Sequence, residues 1–241
     1  MNTKSSNVLR ALRACGAAAL VVSVLFVHFV AAAKPHSWSR VHDKMNAMTA
    51  GIMVIDGVLD EDACAQIRHA MDLGAPEAAE ILDRTIELQE NVRRTSHIEV
   101  DAATLEQLDR TLDGQRNRIE QFFGLRLPSR EGVSLLRYTT GGFFKPHRDH
   151  GYVEAWPDAA RRRVSLVLFL CSSREMDARG TFTGGALRLY PEPSDDRQAS
   201  AQDIHPRAGT LVAFLSTTLH EVTPVGDGIR DTVVDWCYAG D

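Results

Sequence analysis

The sequence predicts an α+β fold in which N-terminal helices support a double-sheet, jelly-roll barrel. Apolar residues recur at helical spacing up to about residue 123, and short β-branched and aromatic runs broken by Gly, Pro and Ser follow from Val133. Short strands at this spacing are typical of jelly rolls. The 241 residues, 44% of them hydrophobic, can bury one sizeable core. The net charge of -5 gives no electrostatic footprint of nucleic-acid binding, which would require a basic face and a high pI.

Residues 1–49 are predicted to precede the folded domain, which spans residues 50–241. An uncharged run of 20 residues, 14–33, is long enough to cross a bilayer core of about 30 Å at about 1.5 Å per residue. Three interpretations stay open: a single membrane anchor with the domain on the far side, a cleaved signal for the secretory pathway, or a true start at Met45 or Met48. The last would make the protein cytoplasmic.

The first half of the domain is predicted to be mainly helical. Residues 51–56 form a strand, and a helix starts at Leu59 with Asp60 as its N-cap. A second helix is predicted from residue 76 to about residue 91. A third runs from residue 101 to about residue 123, with an apolar stripe formed by Leu105, Leu108, Leu112, Ile119 and Phe122. These stripes would cover one face of the sheet that follows.

The second half is predicted to consist of short strands joined by loops. Two loops are long, Ser172–Thr183 and Glu192–Gln202, and the first is long enough to fold over the mouth of a barrel. A barrel of this kind brings strands that are distant in sequence side by side. The predicted strands span residues 133–138, 142–149, 163–171, 185–190, 209–215, 218–223 and 229–238.

One predicted strand carries a histidine and an aspartate two residues apart. Side chains alternate along a strand, so His147 and Asp149 would point to the same side, with Arg148 on the other. An imidazole and a carboxylate in this relation supply two ligands of a 2-His-1-carboxylate iron site. His220 is the candidate third ligand. These three residues are both the candidate metal ligands and the candidate catalytic residues.

An arginine ten residues after His220 is a candidate anion-binding residue. Alternation divides its strand into two faces, Arg230, Thr232, Val234 and Trp236 against Asp231, Val233, Asp235 and Cys237. The acids indicate that the second face is exposed. A guanidinium on the face of the Trp and Val would then enter an apolar interior, where it needs an anion to offset its desolvation. A substrate carboxylate would supply that anion.

The order of these residues resembles that of the Fe(II)- and 2-oxoglutarate-dependent dioxygenases of the prolyl 4-hydroxylase family. The similarity covers about residues 50–239 and includes Tyr138 and the segment Gly184-Gly185-Ala-Leu-Arg-Leu-Tyr-Pro. The latter segment, with His-Glu-Val-x-Pro, is most similar to the branch containing the oxygen-sensing prolyl hydroxylases and their bacterial relatives. The resemblance implies a double-stranded β-helix, which is the jelly-roll core predicted above.

The resemblance also implies roles for the candidate residues. The three candidate ligands would hold iron, and Arg230 would pair with the distal carboxylate of 2-oxoglutarate, with Tyr138 and Thr232 in the same pocket. One position departs from the family pattern, because Phe169 stands where many relatives have Tyr. A hydroxyl that helps to hold 2-oxoglutarate is therefore absent here.

The activity that the resemblance implies is hydroxylation of a C–H bond, foremost in a prolyl residue of a protein or peptide, with release of succinate and CO2. Two alternatives remain: hydroxylation of a free amino acid or small metabolite on the same scaffold, and a non-catalytic metal- or peptide-binding module. The implied cofactors are Fe(II) and 2-oxoglutarate, with ascorbate as a candidate addition. The expected partners are a protein, peptide or small-molecule substrate and, through residues 14–33, a membrane, but no nucleic acid.

Overall fold

The computed structural model describes residues 51–78, 91–151, 157–190 and 201–240. Within these ranges the α-helices are α1 (Glu61–Leu73), α2 (Ala102–Asp113) and α3 (Arg116–Phe123). The strands are β1 (Ile52–Ile55), β2 (Pro76–Ala78), β3 (Arg93–Arg94), β4 (Ser96–Ile98), β5 (Ser129–Arg130), β6 (Ser134–Tyr138), β7 (Phe143–His147), β8 (Arg162–Phe169), β9 (Phe182–Gly184), β10 (Leu187–Tyr190), β11 (Gln202–Ile204), β12 (Leu211–Leu215), β13 (Leu219–Val222), β14 (Val225–Gly228) and β15 (Arg230–Tyr238).

The strands form two main antiparallel sheets. The larger sheet has eight strands in the order β1-β12-β8-β15-β6-β4-β2, with β5 paired to β15 outside that path. The smaller sheet has five strands in the order β11-β10-β13-β7-β3, and β14 pairs with β9 in a separate ribbon. Apart from the consecutive pair β10 and β11, neighbouring strands in both sheets are not consecutive in the sequence, as the predicted double-sheet architecture requires.

The helices cover one face of the larger sheet. Ile67 and Met71 of α1, Leu108 and Leu112 of α2 and Ile119 of α3 are buried in one cluster with residues of β8, β12 and β15. Asp60 caps α1 as predicted, because its carboxylate accepts from the N–H of Ala63 at 2.8 Å. The predicted helical support of the sheet is therefore present.

The predicted third helix is interrupted. It was expected to run from residue 101 to about residue 123, but α2 ends at Asp113 and α3 begins at Arg116. The N–H of Gln115 donates to the carbonyl of Leu112 at 3.0 Å, three residues back, so the chain tightens at Gly114. Glycine has a low helix propensity, which favours a break at this position.

The predicted second helix is wrong where the structure describes it. Pro76–Ala78 is the edge strand β2, paired antiparallel with β4, and residues 79–90 lie outside the described ranges. A proline at the first residue of an edge strand costs no ladder hydrogen bond, so this pairing accommodates Pro76. The helical spacing of apolar residues gave no indication that this segment pairs with the strand Ser96–Ile98.

The face of β15 that carries the two acids is buried, which corrects the prediction that it is exposed. Asp231 and Asp235 are buried, and Val233 and Cys237 of the same face belong to the core cluster under the helices. Arg137 pairs with Asp231 through two hydrogen bonds of 2.8 Å, and Arg130 pairs with Asp235. Ion pairs, rather than solvent, therefore compensate these carboxylates.

The predicted loops and N-terminal segment differ in how much of them is described. The loop Ser172–Thr183 runs into β9, which pairs with β14, so it is partly a strand. Residues 192–200 of the second loop and all of residues 1–50 lie outside the described ranges. No helix within the described ranges is long and apolar enough to cross a membrane. The anchor, signal and downstream-start interpretations of residues 14–33 stay predictions.

Candidate metal centre and anion pocket

Two histidines face each other on neighbouring strands of the smaller sheet. His147 ends β7 and His220 lies on β13, and the antiparallel register places them opposite one another. The centroids of their rings are 4.2 Å apart. The sheet thereby joins the two histidines that the sequence left far apart.

A bulge in β7 sets the direction of His147. Phe144 pairs with Val222 and His147 with His220, so the register shifts between these pairs because β7 has one residue more than β13. The extra residue brings Phe144 and His147 to one face, where their rings stack with centroids 3.5 Å apart. Pro146 lies in the bulge, where a missing N–H is tolerated.

The same kind of backbone hydrogen bond holds both imidazoles. Nδ1 of His147 lies 2.8 Å from the carbonyl oxygen of Lys145, and Nδ1 of His220 lies 2.9 Å from that of Thr218. A carbonyl only accepts, so Nδ1 donates in both rings, and in the neutral form of each ring Nε2 keeps its lone pair. The distance from Nε2 to the carboxylate of Asp149 is 3.6 Å for His147 and 3.5 Å for His220.

Asp149 lies beyond the end of β7, not on the strand as the alternation predicted. Its N–H donates to the carbonyl of Ser216 at 3.0 Å, so it leaves the β7 ladder, and its Oδ2 accepts from the Ser165 hydroxyl at 2.7 Å. These bonds hold the carboxylate beside the imidazoles. One ligand atom from each of His147, Asp149 and His220 lies within 4.8 Å of the other two. The structure therefore brings all three candidate ligands together.

The charge of Asp149 depends on opposing influences. Burial alone would raise the pKa of its carboxyl, but the imidazoles of His220 and His147 and the Ser165 hydroxyl outweigh burial and hold that pKa below its usual range. Burial lowers the pKa of His220, against the opposing effect of the Asp149 charge. At neutral pH the cluster therefore offers a carboxylate and a neutral imidazole, the protonation states that bind metals.

Arg230 is a buried cation, and two of its donor atoms lack an acceptor among the described residues. It opens β15 opposite Tyr138 and is 1% exposed. Its guanidinium carbon lies 4.9 Å from the ring centroid of Tyr138 and 5.0 Å from that of Phe169. Among the described residues, Nε and Nη2 of Arg230 and Oγ1 of buried Thr232 have no hydrogen-bond partner. Burial lowers the pKa of this guanidinium, yet arginine stays protonated in proteins.

Aromatic residues between the two sheets connect Arg230 to the histidines. Phe169 and Phe214 belong to one buried cluster, and the Phe214 ring is 4.7 Å from the imidazole on β13. Tyr138 and Phe144 belong to a second cluster, and Phe144 stacks on the imidazole on β7. The guanidinium and the cluster of candidate ligands therefore share one apolar interior between the sheets.

Two site residues, Ser165 and Ser216, are absent from the predicted set. Ser165 lies in the middle of β8, as the only polar residue in the otherwise apolar run 164–171 apart from the cysteine that ends it. That break in the apolar pattern is a usable signal for a buried polar role. Ser216 follows β12 among other polar residues and carries no comparable signal.

The sequence of the barrel matches a known family. Residues 133–238 match the sequence model of the 2OG-Fe(II) oxygenase superfamily. This part of the chain is therefore similar to 2OG-Fe(II) oxygenases. The similarity supports an oxygenase that uses Fe(II) and 2-oxoglutarate as cofactors, as the resemblance predicted.

Curated proteins similar to this chain include PKHD-type hydroxylases. One from Sphingopyxis alaskensis is 31% identical over 131 residues, which is 54% of this chain and 55% of the relative. One from Burkholderia ambifaria is 28% identical over 148 residues, 60% of each chain. The chain thus spans little more than half the length of these relatives.

Solved structures similar to this chain include two prolyl hydroxylases. A Pseudomonas putida prolyl-4-hydroxylase is 25% identical with a TM-score of 0.60, covering 81% of this chain and 96% of that one. A Trichoplax adhaerens prolyl hydroxylase, solved with a hypoxia-inducible-factor peptide fragment, is 17% identical with a TM-score of 0.62, covering 85% and 94%. The second shows the fold alone. Together they confirm the predicted jelly-roll core with supporting helices.

Proposed function

We propose that this chain is an Fe(II)- and 2-oxoglutarate-dependent hydroxylase that acts on a prolyl residue of a protein or peptide. The iron ligands are His147, Asp149 and His220, and Arg230 binds the distal carboxylate of 2-oxoglutarate. The observation that carries this proposal is the buried guanidinium of Arg230, two of whose donors lack an acceptor among the described residues.

The donor set suits iron(II). Two imidazole nitrogens with free lone pairs and one carboxylate make a 2-His-1-carboxylate set, which leaves coordination positions open on Fe(II). The backbone carbonyls of Lys145 and Thr218 fix the ring orientations, as hydrogen bonds to metal-binding imidazoles commonly do. A closed structural zinc site would instead require a fourth protein ligand.

The pocket around Arg230 suits a dicarboxylic acid. A guanidinium presents planar, parallel donors that match a carboxylate, and an anion placed there would satisfy Nε and Nη2 at once. The Thr232 hydroxyl lies two residues along the same face and has no partner in the part of the chain that the structure describes, so it is a further donor for the anion. The rings of Tyr138 and Phe169 exclude water, which strengthens this charge pairing. Phe169 contributes packing but no hydroxyl.

The bound iron and 2-oxoglutarate would supply the oxidation of a C–H bond by O2, with succinate and CO2 as the other products. The protein's residues hold and orient these groups. Arg230 and Thr232 fix one end of 2-oxoglutarate, the three ligands fix the metal, and Phe144 and Phe214 form an apolar lining beside the imidazoles. Excluding water in this way prevents side reactions at the site.

A prolyl substrate is supported by the similar Pseudomonas putida structure, which is named as a prolyl-4-hydroxylase. The PKHD-type hydroxylase relatives support a hydroxylase more generally. The proposal includes ascorbate as an accessory cofactor, which is tested by leaving it out of the assay.

Succinate release by the purified protein tests this function. With Fe(II), 2-oxoglutarate and O2, we expect succinate to form faster when a proline-containing peptide is present, and the peptide to gain one oxygen in its mass spectrum. His220→Ala should abolish both signals, whereas His69→Ala, an exposed histidine on α1, should leave them unchanged. Stimulation by free amino acids but by no peptide would reject the peptide substrate. No turnover of 2-oxoglutarate under any condition would reject the hydroxylase.

A further inference from the structure

Two serine hydroxyls lie behind the carboxylate of Asp149, on the larger sheet. Ser165 is in the middle of β8 and is 1% exposed, and Ser216 follows β12 and is 0% exposed. A buried hydroxyl without a partner costs free energy, so both positions call for a hydrogen-bonding role.

The hydroxyls form a directed chain that ends on the carboxylate. Ser165 Oγ lies 2.7 Å from Oδ2 of Asp149 and 3.0 Å from Oγ of Ser216. An ionised carboxylate only accepts, so the single Ser165 proton goes to Oδ2. Ser216 must then donate its own proton to the oxygen of Ser165. The order of donation is therefore from Ser216 to Ser165 to Asp149.

Ser216 also holds the backbone of the same segment. Its carbonyl accepts from the N–H of Asp149 at 3.0 Å and of His150 at 2.9 Å, and its own N–H donates to the carbonyl of Arg163 at 2.9 Å. These hydrogen bonds thus attach the segment that follows β7 to the ends of β12 and β8. The two histidines belong to the smaller sheet, so Asp149 is the candidate ligand that the larger sheet positions.

We propose that Ser165 and Ser216 are positioning residues that hold the Asp149 carboxylate in its metal-binding orientation and thereby raise the metal affinity of the site. This inference rests on the proposed function, in which Asp149 is a metal ligand. Hydrogen bonds behind a metal ligand restrict its orientation before the metal arrives, so less freedom is lost on binding. With Ser165 on Oδ2, the carboxylate cannot rotate freely about its Cβ–Cγ bond.

Metal titration of single variants tests the proposal without catalysis. Calorimetry with Mn(II), and with Fe(II) under anaerobic conditions, should show a loss of affinity of about tenfold to hundredfold for Ser165→Ala. Ser216→Ala should lose less, because its hydroxyl acts through Ser165. The matched control is Thr210→Val, which removes a buried hydroxyl that donates to Asp56 at 3.0 Å, away from the cluster. Its metal affinity should not change.

A variant that carries both substitutions distinguishes two causes of a lower metal affinity: loss of the hydrogen-bonded chain of hydroxyls, or a general loosening of the fold. If Ser216 acts through Ser165, adding Ser216→Ala to Ser165→Ala should change the affinity by less than about twofold, a clear departure from additivity. Fully additive losses, or an equal loss in Thr210→Val, would overturn the proposal. If Ser165→Ala does not fold, equal metal affinity of Ser216→Ala and the unchanged protein overturns it instead.

The same titration distinguishes this inference from the proposed function. Metal binding by the unchanged protein that disappears in His220→Ala supports the proposed metal site. If that binding is unaltered in Ser165→Ala, only the positioning role fails. If the unchanged protein binds no metal, the proposed function and the positioning role fail together.

Discussion

At the scale of single residues, the buried and partly buried arginines of the two sheets differ in whether they have a counter-ion. Arg137 has Asp231, Arg130 has Asp235, and a bidentate pair joins Arg162 to Glu131. Arg230 is buried more deeply than these three but has no carboxylate partner among the described residues. A buried charge without a partner is unfavourable in the ligand-free protein. We infer that Arg230 is retained for a bound anion and not for stability.

This contrast predicts opposite effects of the same substitution at two arginines. Arg137→Met should lower the free energy of unfolding by about 3 kcal/mol, because it leaves the buried Asp231 unpaired. Arg230→Met should leave it unchanged or raise it by about 1 kcal/mol, because it removes an unpaired charge and keeps the packing volume. Urea unfolding of both ligand-free variants measures the difference. A large destabilisation by Arg230→Met would show that Arg230 has a structural partner.

At the scale of secondary-structure elements, the bulge in β7 sets the geometry of the histidine pair. One extra residue between Phe144 and His147 brings both rings to the inner face, although strict alternation would separate them. Loss of that residue would turn one of the two rings outward. The bulge therefore decides which face of the sheet the two rings share.

Deletion of Lys145 tests this role of the bulge. Without it, β7 should pair regularly with β13 and His147 should leave the inner face, so metal affinity should fall by at least about a hundredfold. Lys145→Ala is the matched control, because it keeps the number of residues and should bind metal normally. Calorimetric titration with Mn(II), beside far-UV circular dichroism to confirm the sheet, gives the result. Normal metal affinity of the deletion would mean that the register does not position His147.

Alternation along a strand predicted which residues share a face, but not what covers each face. On β15 it grouped Arg230 with Thr232 correctly, and the inference that Arg230 faces an apolar interior agrees with its burial. The supporting argument was wrong, since the acid-bearing face is buried too. Sequence shows charge but not the cross-strand partner, and here Arg137 and Arg130 compensate the acids.

The candidate ligands were predictable to different degrees. Their residue types and order in the chain could be read from the sequence, because they follow a pattern. The position of Asp149 could not, because its N–H leaves the ladder for the carbonyl of Ser216, a residue that is distant in sequence. The roles of Ser165 and Ser216 depend on the same packing of the two sheets. Long-range contacts of this kind leave no local pattern in the sequence.

At the scale of the whole molecule, the site needs both sheets. The smaller sheet carries His147 and His220, whereas Arg230 and the hydroxyl that holds Asp149 belong to the larger sheet. The helices cover the opposite face of the larger sheet and contribute no candidate ligand within the described residues. We therefore expect ligands to stabilise the packing of the two sheets, because they bind only when the sheets are assembled.

Because the two sheets form the site, we predict that residues 1–47 are dispensable for metal binding. The described residues all belong to one compact unit, Ala47–Asp241. A protein that starts at Met48 lacks the apolar run 14–33, which a water-exposed fold does not need, and should still fold and bind metal as the full chain does. Circular dichroism and Mn(II) titration compare the two proteins. An unfolded truncated protein would show that residues 1–47 contribute to the core.

The central claim is that Arg230 binds the distal carboxylate of 2-oxoglutarate beside an iron held by His147, Asp149 and His220. Anaerobic titration of the Fe(II)-loaded protein with 2-oxoglutarate tests this claim most directly. The signal is the visible absorption band that forms when a 2-oxo acid binds Fe(II). Arg230→Ala should weaken this binding by several hundred-fold or more, about 3 to 5 kcal/mol, with Fe(II) affinity nearly unchanged. Arg230→Lys should weaken it less, because it keeps the charge but not the planar donors. Equal 2-oxoglutarate affinities of Arg230→Ala and the unchanged protein would contradict the account.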